Sequence, residues 1–230
     1  MSAFTPAPSS GRRFAHSRRV RLGDVGVDAH VRLDALARYL QDVAGDDWDD
    51  AVGPDEDTWV VRRTRLRLVN DARWPRLGEV VTLSTWCAGT GAAWAERRSD
   101  VAVDGVVVVE ASALWVPVDA SGRPRRIRRN FFDIYGEEAT RKVPGRVTSA
   151  PLAPTSSRPW PLRRADLDVV GHVNNAVVWE ALADATSHVR SATVVHLGSL
   201  EAGDDVTLAS APGRFWLVVD GVVRVAGEFD

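Results

Sequence analysis

The sequence is poor in cysteine and shows no excess of positive charge. Its single cysteine, Cys87, excludes an internal disulfide framework and a metal site built from several cysteines. The formal net charge of −2 and the isoelectric point near 6.2 argue against the broad basic surface that nucleic-acid binding needs. We therefore expect no metal, no other cofactor and no nucleic-acid partner.

Long hydrophobic runs are also absent. No stretch approaches the length of a membrane-spanning helix, and the start, MSAFTPAPSSGRR, lacks the apolar core of a secretory signal. We expect a disordered tail over residues 1–13 and a cytoplasmic protein. The 230 residues, of which 45% are hydrophobic, are enough for one large domain or two small ones.

The chain contains two copies of one pattern. The segment from Gly23 to Ala44 resembles the segment from Ala165 to Thr186, and the alignment pairs His30 with His172. Two further pairs of segments follow in the same order: residues 75–85 with 200–210, and residues 101–109 with 217–225. Three matches in one order predict an internal duplication and therefore two halves of similar architecture.

Each half is predicted to hold a short strand, one helix and four further strands. Leucines and valines at helical spacing predict helices after Leu33 and after Val178. Asp104-Gly105 and Asp220-Gly221 lie between apolar runs and predict tight hairpins. The predicted strands are 15–22, 59–69, 79–87, 92–103 and 106–116 in the first half, and 158–164, 191–200, 205–211, 214–219 and 222–229 in the second.

One helix among several antiparallel strands is buried most simply when the sheet wraps around it. We place the first such domain at residues 14–140 and the second at 158–230. The Pro- and Ser-rich segment 141–157 is expected to be the linker. The shorter second half needs the first to cover its apolar faces, and the pairing would close a crevice between them.

A polar cluster, DLDVVGHVNN, occupies residues 166–175 directly before the second helix. One interpretation is helix capping by Asn174. A second is a metal site of Asp168, His172 and Asn174, which lacks a supporting His or Cys motif. A third is hydrolytic chemistry, with Asp168 as base or nucleophile, His172 as proton carrier and the helix N-terminus facing a developing oxyanion. The first copy lacks both asparagines, which favours chemistry in the second.

The cluster resembles the D-x-D-x-x-x-H-V-N-N signature of the acyl-ACP thioesterase family, plant and bacterial enzymes that release fatty acids from acyl carrier protein. TWVVRRTRLRLV and WPRLGEVVTLSTWCAGTG in the first half resemble the same family, and the likeness covers roughly residues 15 to 229. It implies an α+β tandem hotdog fold, in which each half is an antiparallel sheet around one long helix. It also implies thioester hydrolysis in fatty acid biosynthesis.

The family's functional positions fall on Asp168, His172 and Glu201, with Asn174 and Asn175 beside them. The sequence departs from the plant pattern in two places. Val170 replaces an asparagine and Ala202 replaces a cysteine, so water rather than a thiolate is the expected attacking group. The first-half histidine, His30, is expected to be structural.

The mechanism expected from this resemblance places the thioester carbonyl near the backbone of Val173 and Asn174. Asp168, oriented by an asparagine, or Glu201 activates water. His172 binds the carbonyl oxygen or protonates the leaving thiolate.

Two further groups of residues are candidates for substrate binding. In plant members the first domain shapes the acyl pocket, so the tryptophans Trp48, Trp59, Trp86 and Trp94 are candidate lining residues or plain core residues. The stretch GRPRRIRRN is either a solvated loop or a docking patch for acidic carrier protein or coenzyme A, with Arg125, Arg126 and Arg129 as the candidates.

Two rival functions remain at this stage. One is an acyl-CoA thioesterase of the same fold. The other is a non-catalytic acyl-thioester binding protein. Val170 favours this function, whereas the presence of the other polar residues opposes it: Asp168, His172, Asn174, Asn175 and Glu201. Tandem halves form a pseudo-dimer, so the chain is expected to act as a monomer or a homodimer.

Overall fold

The computed structural model describes residues 4–9, 11–52, 58–185 and 189–230. Of the expected tail, residues 1–3 and 10 lie outside this range. The strands are β1 Arg13–Arg19, β2 Thr58–Leu68, β3 Val80–Thr90, β4 Ala95–Val103, β5 Val106–Val118, β6 Ser156–Pro159, β7 Ser191–His196, β8 Thr207–Ala211, β9 Arg214–Val219 and β10 Val222–Phe229. The helices are α1 Leu33–Ala51, α2 Arg129–Tyr135 and α3 Val178–Ala185.

All ten strands form one antiparallel sheet in the order β1-β3-β4-β5-β2-β7-β10-β9-β8-β6. The halves meet where β2 pairs with β7, with Thr64 opposite Val194. Reading outward from this junction, both directions give the same order of equivalent strands, β2-β5-β4-β3-β1 and β7-β10-β9-β8-β6. The predicted duplication is therefore a pseudo-symmetric architecture, and the prediction of two hotdog halves is confirmed.

The two predicted hairpins have the geometry their sequences require. Asp104 and Gly105 have φ angles of 49° and 79°, and Asp220 and Gly221 have 51° and 77°. Left-handed φ at both central residues is the signature of the two-residue turn that matches strand twist. Asp-Gly at both places therefore fixes the pairing of β4 with β5 and of β9 with β10.

The main core lies between the sheet and the helices α1 and α3. Leu36, Tyr39 and Val43 follow one face of α1 and are almost completely buried. Burial of each such side chain contributes about 1.5–3 kcal/mol. Helical spacing on one face thus positions α1 across the first half of the sheet.

The helices differ from the expectation in two ways. A long helix was expected in each half, but α3 is described over only 8 residues against 19 in α1. A solvated loop was one of two interpretations of the arginine-rich stretch, but its last arginine, Arg129, begins α2. Phe131 and Tyr135, one helical turn apart on α2, are both buried and give the helix its packing face.

The segment between the halves lies against the protein surface. The indole N–H of Trp94 donates to the carbonyl of Val143, and that of Trp216 donates to the carbonyl of Ala150. At the other end of the chain, the Phe4 ring lies 4.2 Å from the guanidinium carbon of Arg98. None of the described helices combines the length and apolarity that a membrane span requires.

Candidate active site

The loop before α3 begins with a tight, self-capped turn. The carboxylate of Asp166 is buried and accepts hydrogen bonds from the backbone N–H of Arg163 at 2.8 Å and from its Nε at 2.9 Å. The first half repeats this arrangement with Arg21 and Asp24, where the backbone N–H donates at 2.7 Å. Asp166 is therefore an architectural residue shared by both copies.

Asp168 holds the turn of the loop together. Its Oδ1 accepts the backbone N–H groups of Val170 at 3.0 Å and of His172 at 3.1 Å. Gly171, between them, has a φ of 83°, which glycine adopts without strain. The carboxylate thus fixes where the His172 backbone lies, while the Val170 side chain is exposed.

His172 is brought next to Glu201. The two residues form an antiparallel bridge, which puts their side chains on the same side with Cβ atoms about 5 Å apart. Both residues are exposed, and Ser199 Oγ donates to Glu201 Oε1 at 3.1 Å. Across the part of the chain that the structure describes, no hydrogen bond joins the side chains of Asp168 and His172.

The two amides expected near the substrate carbonyl already donate to other groups of the chain. The N–H of Val173 donates to Leu200 and that of Asn174 donates to Asp166, both at 2.8 Å to the carbonyl oxygen. The side chain of Asn174 caps the following turn by accepting the N–H of Ala176 at 2.8 Å. Among the described atoms, none accepts a hydrogen bond from the backbone N–H of Asn175.

Asn175 also lines the smaller of two neighbouring cavities that residues of α1 border. A small cavity of about 30 Å³ contacts Asn175, and a larger one of about 200 Å³ lies farther along the helix. The two share three lining residues, which are Gln41, Arg97 and Trp115. Asp168, His172 and Glu201 do not line either cavity.

The larger cavity is mostly apolar. Trp48 and Trp59 line it, as do Cys87 and Phe131. Burial raises the pKa of the Cys87 thiol to about 11, so this thiol is protonated at neutral pH. Trp86 and Trp94 lie elsewhere, since Trp86 packs against arginines and Trp94 against the linker.

Sequence reasoning did not identify Phe131 or Cys87 as cavity residues. Phe131 belongs to α2, whose apolar residues lie directly after the arginine-rich stretch. Spacing of Phe131 and Tyr135 by one helical turn was the available signal for this helix.

The candidate docking arginines lie at the first position of α2 and just before it. Arg126 and Arg129 are exposed, and Arg125 is half-buried. Arg129 begins the helix that carries Phe131, a residue that lines the larger cavity. Within the described ranges, no three His, Cys, Asp or Glu side chains gather as a metal site would require.

Curated relatives share modest identity with the chain. Uncharacterised proteins of two Mycobacterium tuberculosis strains are 26% identical over 203 residues, covering 86% of this chain and 80% of theirs. Oleoyl-acyl carrier protein thioesterase 1 of Arabidopsis thaliana is 26% identical over 192 residues, covering 68% of this chain and 50% of its own length.

Solved structures show the same fold over almost the whole chain. A putative oleoyl thioesterase from Lactobacillus plantarum superposes with a TM-score of 0.83 at 18% identity, covering 96% of each chain. The 12:0-ACP thioesterase of Umbellularia californica gives 0.77 at 17% identity, covering 97% of this chain and 98% of its own. The family model for the acyl-ACP thioesterase N-terminal domain matches residues 11–135. The chain therefore belongs to the acyl-ACP thioesterase family and is a thioester hydrolase.

Proposed function

We propose that the chain hydrolyses a fatty acyl thioester of acyl carrier protein to a free fatty acid and the carrier thiol. The observation that carries this proposal is the continuity of the polar loop with the cavity. The loop holding Asp168 and His172 leads directly into Asn175, which lines the smaller cavity. That cavity shares three lining residues with the larger one, which Trp48 and Trp59 line. A polar reacting end and an apolar tail region suit an acyl thioester.

Glu201 is the proposed base that activates water. It lies beside His172 and is open to solvent, so a water molecule has access to both side chains. Asp168 is assigned a positioning role, because its Oδ1 is engaged by two backbone amides. His172 then donates a proton to the departing thiolate, which is a good leaving group and needs modest assistance.

The carbonyl oxygen is proposed to be stabilised by the free N–H of Asn175. This amide has no intramolecular acceptor among the described residues, and Asn175 lines the smaller cavity. The partial positive charge of the helix N-terminus adds to this stabilisation. Asn174 supports the arrangement by capping the turn that presents the amide.

The acyl tail is proposed to extend from Asn175 along α1 into the larger cavity. Trp48 and Trp59 would form its apolar wall, with ring centroids 5.7 Å apart. Since both halves of the site come from one chain, a monomer is sufficient for activity, and a homodimer would hold two complete sites. The proposed setting is fatty acid biosynthesis in the cytoplasm.

Carrier docking by Arg125, Arg126 and Arg129 is a separate part of the proposal. Carrier proteins of this kind are acidic, and exposed guanidinium groups attract carboxylates and phosphates. Changing all three to Ala should raise KM for a carrier-bound substrate more than for a small acyl thioester. Equal effects on both substrates would remove the docking role and leave the hydrolysis proposal standing.

The experiment that tests the substrate assignment compares kcat/KM on matched acyl-ACP and acyl-CoA of the same chain length. Higher efficiency on acyl-ACP supports the proposal, and higher efficiency on acyl-CoA supports the related acyl-CoA thioesterase function. Binding of both without release of thiol would identify a non-catalytic acyl-thioester binding protein, the function that Val170 favours.

A further inference from the structure

The two cavities meet at a group of polar side chains. The smaller cavity, which Asn175 lines, adjoins the larger cavity, which Trp48 lines. Three residues line both cavities, and we call the place where they lie the neck: Gln41, Arg97 and Trp115. Each of the three side chains carries N–H groups that can donate hydrogen bonds. A chain that extends from the smaller cavity into the larger one passes these groups.

Gln41 is a polar residue on an otherwise apolar face of α1. The other residues of α1 that line the two cavities are apolar or glycine: Ala37, Leu40, Ala44, Gly45 and Trp48. Among the residues that the structure describes, none forms a hydrogen bond with the Gln41 side chain. Its amide therefore offers two N–H donors and one oxygen acceptor to a ligand at the neck.

The indole N–H of Trp115 also lacks an acceptor. Its Nε1 atom is buried, and no described atom accepts the hydrogen. Buried indoles usually find a partner, as those of Trp94 and Trp216 do by donating to backbone carbonyls at 2.9 Å and 3.2 Å. A buried donor without a partner costs free energy. Because Trp115 lines both cavities, an acceptor on a ligand would remove this cost.

Arg97 adds no net charge to the neck. Its Nη1 pairs with the Asp47 carboxylate, and its Nη2 donates to the Tyr135 hydroxyl oxygen at 2.9 Å. Asp47 is 0% exposed and also pairs with Arg12, which in turn pairs with Asp50. Two guanidinium groups are thus balanced by two carboxylates. The neck therefore suits a neutral oxygen rather than a second carboxylate.

We propose that the acyl chain of the substrate carries a hydroxyl group and that the neck binds this group. The hydroxyl oxygen accepts the indole N–H of Trp115, and the hydroxyl hydrogen is donated to the amide oxygen of Gln41. This inference rests on the proposed hydrolysis of acyl thioesters and names the class of acyl chain. An unsubstituted chain leaves both protein groups unpaired, and a site built to bond a hydroxyl discriminates against the analogue that lacks it.

The test measures kcat/KM on acyl-ACP substrates of one chain length, either unsubstituted or with one hydroxyl at successive positions from carbon 3 onward. The wild type should prefer the hydroxylated chain about tenfold at the position that reaches the neck, and less at positions on either side. Equal efficiency on the unsubstituted chain and on every hydroxylated chain overturns the inference.

Gln41→Met tests the role of the amide. Methionine keeps the length of the side chain and favours a helix but lacks the amide groups, and Gln41 is only half-buried, so the variant should fold. It should lose most of the preference for the hydroxylated chain. Trp115→Phe keeps an aromatic ring without the N–H and should reduce the preference in the same way.

Trp48→Phe is the matched control, because Trp48 lines the larger cavity but not the smaller one. It should leave the ratio of kcat/KM between hydroxylated and unsubstituted chains as in the wild type. A preference that persists in both Gln41→Met and Trp115→Phe, or that falls equally in Trp48→Phe, overturns the assignment to the neck.

Failure of the proposed function has a different result. Absence of thiol release by the wild type from every chain overturns hydrolysis, and calorimetric affinities for hydroxylated and unsubstituted fatty acids then decide the inference. Tighter binding of a hydroxylated fatty acid that Gln41→Met abolishes supports the neck as its site. Equal affinities for the two kinds of fatty acid overturn it.

Discussion

His172 lies opposite Glu201 in an antiparallel bridge, whereas its counterpart in the first half, His30, lies opposite Arg76. The same backbone geometry therefore holds two different chemical pairs. A carboxylate beside an imidazole can share protons with it and with water, while a guanidinium cannot act as a base. In the first half His30 instead lies 3.2 Å from Asp28, measured from Nδ1 to Oδ2. The two copies thus share the backbone arrangement of the loop but pair its histidine with different residues.

Substitutions at the two carboxylates should give opposite patterns. Asp168→Asn keeps an oxygen that accepts the two loop amides, so activity should remain within about tenfold of wild type, whereas Asp168→Ala should cost on the order of 10²-fold. Glu201→Gln removes the proposed base and should cost on the order of 10²-fold or more. Steady-state thioester hydrolysis measures both. A large loss in Asp168→Asn with little loss in Glu201→Gln would make Asp168 the base.

Cys87 lines the larger cavity and is the chain's single cysteine, so its alkylation in the wild-type protein is a probe of that cavity. Because its pKa is raised to about 11, alkylation by iodoacetamide at pH 8 should be about 10²-fold slower than for a free thiol. The rate should rise with pH as the thiolate forms, and a bound fatty acid should slow it further. Mass spectrometry of the intact chain follows the reaction. Alkylation that a fatty acid does not slow would contradict acyl binding beside Cys87.

The buried His196 should make the fold sensitive to acid. Burial, with the nearby charge of Arg62, lowers its pKa from 6.5 to about 4. Between these pH values His196 is protonated in the unfolded chain but stays neutral in the folded chain. The free energy of unfolding therefore falls as the pH drops from about 6.5 to 4. The loss reaches about 3 kcal/mol.

Denaturant unfolding at several pH values measures this dependence. His196→Leu should flatten the slope over that interval, and His16→Ala, whose side chain is largely exposed, serves as the control that leaves it unchanged. An equally steep slope in His196→Leu would assign the acid sensitivity to other groups.

Asp47 should be the most sensitive charged residue in the first half. Asp47→Asn leaves Arg97 and Arg12 without their shared carboxylate in a buried place, which should cost about 3–5 kcal/mol of unfolding free energy. Asp50→Asn is a matched control, because Asp50 also pairs with Arg12 but is 61% exposed and should cost under about 1 kcal/mol. Equal losses of unfolding free energy in the two variants would show that burial does not increase the contribution of Asp47 to stability.

The sheet could be predicted from the sequence because its signals are local and repeated. Alternating apolar runs and the two Asp-Gly turns fixed strands such as Val106–Val118 and Val222–Phe229 to within a few residues. The structural role of Asp166 is also visible in the sequence, because the alignment of the two copies pairs it with Asp24. The order of strands across the β2–β7 junction follows from the duplication itself.

The candidate site was harder to predict because it depends on which backbone groups are already bonded. No sequence pattern shows that the amides of Val173 and Asn174 donate to Leu200 and Asp166 and leave Asn175 free. The helix α2 was missed because it is only two turns long and begins with the polar residues Arg129 and Asn130. Its packing includes a hydrogen bond from Tyr135 to Asp47, which lies 88 positions earlier in the chain.

The most direct test of the account is release of free thiol from a long-chain acyl-ACP by the wild type, His172→Ala and His30→Ala. His30 occupies the equivalent position in the first half, so its variant controls for loss of a loop histidine. The account predicts turnover by the wild type, a similar rate in His30→Ala and a loss on the order of 10²-fold in His172→Ala, with all three proteins folded. Wild-type turnover that persists in His172→Ala, or that is lost equally in His30→Ala, would contradict catalysis by the second-half loop.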